Sequence, residues 1–141
     1  MKWLLILIFF LLATSACASS IEALTIHDTW ARPASAGDNG AAYFVIENGT
    51  ITNDTLLSIS SDIATATEVH MSMGDGNGVM SMQMQESVSV PAKGQVEFKP
   101  GGLHVMFVGL MRDLKAGDTI TLTLNFEKAG SMSIEVPVKA P

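Results

Sequence analysis

Thr119-Ile120-Thr121-Leu122-Thr123-Leu124-Asn125-Phe126 alternates polar and apolar side chains without a break. A period of two puts Ile120, Leu122, Leu124 and Phe126 on one face and the threonines on the other, the pattern of a strand with one dry and one wet side. Outward from this segment, short apolar or alternating runs recur at 21–26, 41–46, 56–59, 65–71, 79–85, 88–90, 95–98, 104–110 and 131–138. Turn chemistry separates them: Asn48-Gly49, Asp75-Gly76-Asn77-Gly78, Lys93-Gly94, Pro100-Gly101-Gly102, Ala116-Gly117-Asp118 and Ala129-Gly130. No stretch sustains an apolar period of 3.6, and there is no linker, low-complexity tract or internal repeat. The expectation is one all-β domain, an antiparallel β-sandwich with Greek-key connections.

The chain has 141 residues, and 8 Lys and Arg face 14 Asp and Glu, a formal net charge of −6. That balance argues against a nucleic-acid-binding module, which needs basic side chains to neutralise phosphates. One Cys excludes an internal disulfide framework, a CxxC redox pair and a Cys-rich zinc site. Residues 1–12, MKWLLILIFFLL, place one Lys before an apolar run too short for a permanent span, which takes about 20 residues. Small residues follow, with Ala16-Cys17-Ala18 as an A-x-A cleavage site, so residues 1–18 read as a secretory signal peptide and 19–141 as the mature domain. The competing reading is a lipoprotein anchored to the membrane through Cys17, although Thr14 stands where such signals usually carry a Leu-like residue. Either way the working domain is thiol-free.

Seven of the nine Met fall between Met71 and Met111. His104 and Met106, two apart on an expected strand, project to one face beside a glycine-rich turn, while Leu103, Val105 and Phe107 take the other. His70 lies in a second Met-rich stretch with Met71, Met73, Met80, Met82 and Met84. Thioether sulfur is a soft, neutral ligand that Mg²⁺ and Ca²⁺ do not select, and imidazole suits copper, zinc and iron. Zinc sites favour Cys, His and carboxylate, so two His and two Met without a thiol match Cu(I) best. Core packing is the alternative for Met80, Met82 and Met84, because Met fills irregular gaps well. His27, alone in its neighbourhood, reads as a surface or turn residue. A blue-copper electron carrier needs a Cys thiolate that the mature domain lacks. No G-x-S-x-G motif accompanies the His for hydrolysis, and Asp75-Gly76-Asn77-Gly78 lacks the spaced acids of a Ca²⁺ loop.

These residues resemble the periplasmic copper chaperones of the PCu(A)C type, whose signature is a His, a spacer of ten or so residues, a Met, twenty-one further residues, and His-x-Met. Met82 is followed by 21 residues and then His104-Val105-Met106, while 11 residues separate His70 from Met82, or ten counted from Met71. Trp30-Ala31-Arg32, Gly40-Ala41-Ala42-Tyr43 and Lys99-Pro100-Gly101-Gly102-Leu103 also resemble the family text. The resemblance implies a cupredoxin-like sandwich and a Cu(I) site made by His70, Met82, His104 and Met106. It further implies a carrier rather than an enzyme, delivering Cu(I) to a respiratory cytochrome c oxidase copper centre or its Sco-type assembly partners. The remaining alternative is an exported binding or adhesion module without metal. Whether Met71, Met73, Met80 or Met84 supplements or replaces Met82 stays open at this level.

Overall fold

The computed structural model describes residues 22–140, so the expected signal peptide, its cleavage site and Cys17 lie outside the described residues. Ten strands form two sheets: β1 (Leu24–Ala31), β2 (Gly40–Asn48), β3 (Asp54–Ser60), β4 (Ala64–Gly74), β5 (Met80–Met84), β6 (Val88–Val90), β7 (Gly94–Phe98), β8 (Leu103–Leu110), β9 (Thr119–Phe126) and β10 (Gly130–Pro137). The larger sheet runs β1-β2-β8-β4-β5, with β7 also on β2; the smaller runs β10-β9-β3-β6. All of these strand pairs are antiparallel. Among the described residues there is no helix, and the expected all-β sandwich is borne out.

The core is what the period-two segments supply. Ile120, Leu122, Leu124 and Phe126 of β9 are buried, opposite Phe44 and Ile46 of β2 and Val105 and Phe107 of β8 from the larger sheet. Phe44 and Phe98 stack with ring centroids 4.4 Å apart, tying β7 to β2. Below the core, Asp54 anchors the β9–β10 turn: its carboxylate accepts N–H bonds from Thr55 (2.7 Å), Lys128 (2.9 Å) and Ala129 (2.8 Å). Burial pushes this carboxyl up, but those three donors and the Lys128 charge outweigh it and hold it below its ordinary value.

Two features bear on the site, the first a departure from the sequence expectation. β1 runs over Leu24–Ala31 rather than 21–26, because a bulge between His27 and Trp30 breaks the alternation. Asp28 absorbs it at φ 54°, a left-handed conformation that Asp tolerates better than most residues. Second, β7 and β8 pair with successive parts of the same strand: β7 with Phe44–Asn48 and β8 with Gly40–Ala42. The Lys99–Gly102 turn joins them, with Gly101 at φ +77° and Gly102 N–H donating to Lys99 O at 3.0 Å. That turn delivers the chain directly into His104.

Candidate metal centre

Strand register brings the expected site residues onto one face. In an antiparallel sheet, directly opposed residues share a face, as do residues two apart on one strand. His70 of β4 is opposed on one side by His104 of β8 and on the other by Met84 of β5. One step along β4, Glu68 faces Met106; one step the other way, Ser72 faces Met82. The result is a small grid on the outer face of the larger sheet, with the two imidazoles on its central rung. Val69, Leu103, Val105 and Phe107 occupy the opposite face and are buried in the core.

The same register sorts the methionines. Met80, Met82 and Met84 lie on the face of His70 but are 62%, 60% and 55% exposed, so packing does not explain them. Met71 points the other way, opposed to Leu103 and packed against the core. Met73, two residues on, shares that opposite face. Met71 and Met73 are thereby separated from the imidazoles. The Asp75 side chain caps the β4–β5 turn, its Oδ1 accepting from Asn77 N (2.7 Å) and Val79 N (3.1 Å). This is the expected turn.

The imidazoles stand 6.1 Å apart between ring centroids, inclined at 33°. At that separation both can reach one ion with metal–nitrogen bonds of about 2 Å. His104 is only 6% exposed, although it lies on the outer face. It donates Nδ1–H to Gly102 O at 2.9 Å, while His70 donates Nε2–H to Glu68 Oε2 at 2.8 Å. The remaining nitrogen of His70, Nδ1, is buried with no hydrogen-bond partner. A buried polar atom without a partner is costly unless something else satisfies it, and a metal ion does so.

Met82, His104 and Met106 line one cavity of about 330 Å³, together with Ser72, Tyr43 and the Pro100-Gly101 turn. His70 flanks this cavity rather than lining it. Arg32 lies over the Tyr43 ring, 5.5 Å from its centroid, and Trp30 packs against that ring at 4.5 Å. Burial raises the Tyr43 hydroxyl above its ordinary value, and the Arg32 charge opposes that rise. The sequence reading assigned no role to Tyr43, Arg32 or Glu68. For Glu68 the signal was present, since Glu-x-His on a strand puts both side chains on one face. His27 is on β1 beside the bulge, within 3.0 Å of Asp28 and 3.5 Å of Glu47, away from the grid.

Among the described residues no group of three His, Cys, Asp or Glu is placed to hold a metal ion. A pair of imidazoles flanked by exposed thioethers suits a soft, low-charge ion.

Comparison with known proteins agrees. The LpqE-like family model, described as "Putative lipoprotein LpqE-like", matches residues 24–138. A Leifsonia xyli protein named "Putative lipoprotein Lxx21020" is 29% identical over 84% of this chain and 70% of its own length. The copper-bound PCuAC domain of PmoF2 superposes with a TM-score of 0.69 at 25% identity, covering 84% of this chain and 93% of that domain. The Cu(I) form of DR1885 from Deinococcus radiodurans gives 0.66 at 27% identity, covering 88% and 85%. With its sandwich matched from β1 to beyond β10, this chain belongs to the LpqE-like family of PCuAC-type proteins.

Proposed function

We propose that this protein is an exported copper chaperone, a carrier rather than an enzyme, that holds Cu(I) through His70, Met82, His104 and Met106. The observation that carries the reading is the shared rung of His70 and His104, with Met106 and Met82 on the same face one step away. The copper-bound PmoF2 domain and Cu(I)-DR1885, which share its fold, support copper as the cargo. The donor types support the Cu(I) state, because neither thioether nor imidazole brings a negative charge.

The division of labour follows from burial. His104, buried and held by Gly102 O, and His70, held by Glu68, are anchors that cost little to keep in place. Met82 stands at the exposed edge of the sheet, so its thioether is the donor that an incoming ligand displaces first. Stepwise exchange through the open side passes the ion on without releasing it to water.

In this reading residues 1–18 export the chain to the periplasm, residues 19–141 form the copper-binding domain, and the recipient is a respiratory oxidase copper centre or a Sco-type assembly factor. The lipoprotein name of the family and of the Leifsonia relative supports the alternative of a membrane anchor at Cys17. The mass of the mature N-terminal peptide separates the two. The test of the site is a competition titration with a chromogenic Cu(I) chelator, comparing the native protein with the His70→Ala, His104→Ala double variant. Unchanged affinity in the double variant would sink the assignment.

A further inference from the structure

We propose that Glu68 is a positioning residue for this site: it fixes the His70 ring as the tautomer protonated on Nε2, so that His70 presents Nδ1 to the ion while His104 presents Nε2. The inference rests on the Cu(I) reading above and goes beyond it, because it assigns the binding nitrogen of each imidazole and a role to a residue outside the ligand set.

The argument begins with hydrogen-bond inventory. A carboxylate and a backbone carbonyl only accept. The His70 nitrogen that faces Glu68 Oε2 at 2.8 Å therefore carries the proton, and that nitrogen is Nε2. The His104 nitrogen that faces Gly102 O at 2.9 Å also carries one, and that nitrogen is Nδ1. In neutral rings the lone pairs are then at Nδ1 of His70 and Nε2 of His104. Nδ1 of His70 is one of two buried side-chain polar atoms without a hydrogen-bond partner among the described residues, the other being Thr67 Oγ1, and of the two it carries the lone pair suited to a soft cation. The two rings are thus held by different kinds of partner, a charged side chain for one and the backbone for the other. Only the first can be removed by substitution.

The placement of Glu68 also explains why it is not itself a ligand in this arrangement. It stands two residues from His70 on β4, opposed to Met106, and its carboxylate is spent on the far nitrogen of the ring. Ligating His commonly donate their other N–H to a carboxylate, which orients the ring and raises its basicity, and loss of that partner typically lowers metal affinity about 10- to 100-fold. Glu68 also brings a negative charge beside an otherwise neutral donor set, which favours retention of a cation.

The experiment uses the mature chain with nitrogen-15-labelled histidine, in native, Glu68→Ala and Glu68→Gln forms. In the metal-free native protein the ring spectra should show His70 protonated on Nε2. On Cu(I) loading the shift should fall on Nδ1 of His70 and on Nε2 of His104. Glu68→Ala should mix the His70 tautomers and weaken Cu(I) about 10- to 100-fold in the chelator competition. Glu68→Gln, whose amide oxygen still accepts from Nε2–H, should keep the tautomer and lose less affinity. The thermal midpoint of all three metal-free forms, measured alongside, separates ring orientation from a general loss of fold. The proposal is overturned if His70 binds through Nε2, if Glu68→Ala keeps both tautomer and affinity, or if X-ray absorption finds a carboxylate oxygen on the ion. A native protein that fails to bind Cu(I) overturns the chaperone reading instead, and the metal-free tautomers still decide whether Glu68 orients His70.

Discussion

β9 and β5 carry the same written pattern and meet opposite fates. Thr-Ile-Thr-Leu-Thr-Leu-Asn-Phe and Met-Ser-Met-Gln-Met both alternate with period two, yet β9 buries Ile120, Leu122, Leu124 and Phe126 while β5 exposes Met80, Met82 and Met84. The difference is position in the sheet. β9 is central in the smaller sheet, between β10 and β3, and its apolar face meets the other sheet. β5 is an edge strand, and its Met face is the outer one, carrying His70 and His104. Alternation thus reports the strand, whereas burial depends on what lies across from it. Apolar side chains that alternate without being buried are available for chemistry.

The contrast is tested most severely in β9. Leu122→Ala removes a fully buried side chain and leaves a cavity, so it should destabilise the fold by about 2–5 kcal/mol in urea unfolding. A cost below about 1 kcal/mol would mean that the inner face of β9 is not packed as described. On the other side, the His70→Ala, His104→Ala variant should lose Cu(I) affinity by on the order of 100-fold or more, exceeding the effect typical of outer-shell partners. Its urea midpoint should move far less than that of Leu122→Ala, because only His104 of the pair is deeply buried.

Asp54 gives an intermediate case, a polar group on the stability side of the comparison. Replacing it with Asn leaves at least one of its three N–H partners poorly matched, at a cost of about 1–3 kcal/mol near neutral pH. The folded carboxyl is held below its ordinary value, so its contribution is present above the unfolded value and is lost as pH falls through the folded one. Native and Asp54→Asn stabilities should therefore converge in acid, with Cu(I) affinity at neutral pH equal in the two. The smallest stability effect belongs to β5. Met80→Ala and Met84→Ala should each shift stability by less than about 0.5 kcal/mol, as is usual at exposed sites. Limited peroxide treatment sharpens the same contrast. It should oxidise Met80, Met82 and Met84 before core-packed Met71 and weaken Cu(I) binding without unfolding the protein, as peptide mass mapping and the chelator assay would show.

Much of this was readable in advance, for reasons that differ by element. The bounds of β9 coincide with the alternating segment because nothing interrupts its period. The extent of β1 is not legible in the sequence because the bulge at Asp28 resets the alternation, and a bulge leaves no period to read. His104 and Met106 could be put on one face from spacing alone, since both lie on one strand. His70 could not be joined to them by the same means. Its rung depends on β4 pairing with β8, strands far apart in the chain, and on a register that flips every side chain if it slips by one. That register also turned Met71 and Met73 away from the imidazoles, although Met71 adjoins His70 in the chain.

By itself the sequence determined the residue chemistry and the local geometry: strands of period two, turns rich in glycine, a thiol-free described domain and a surplus of thioethers beside His70 and His104. Those properties belong to each residue and its near neighbours, so no folding is needed to know them. The tertiary structure decided which donors meet, which methionines face solvent, and which imidazole nitrogen is left free. Such facts arise between strands, from long-range pairing and from hydrogen bonds to Glu68 and Gly102 whose geometry only the closed sandwich sets.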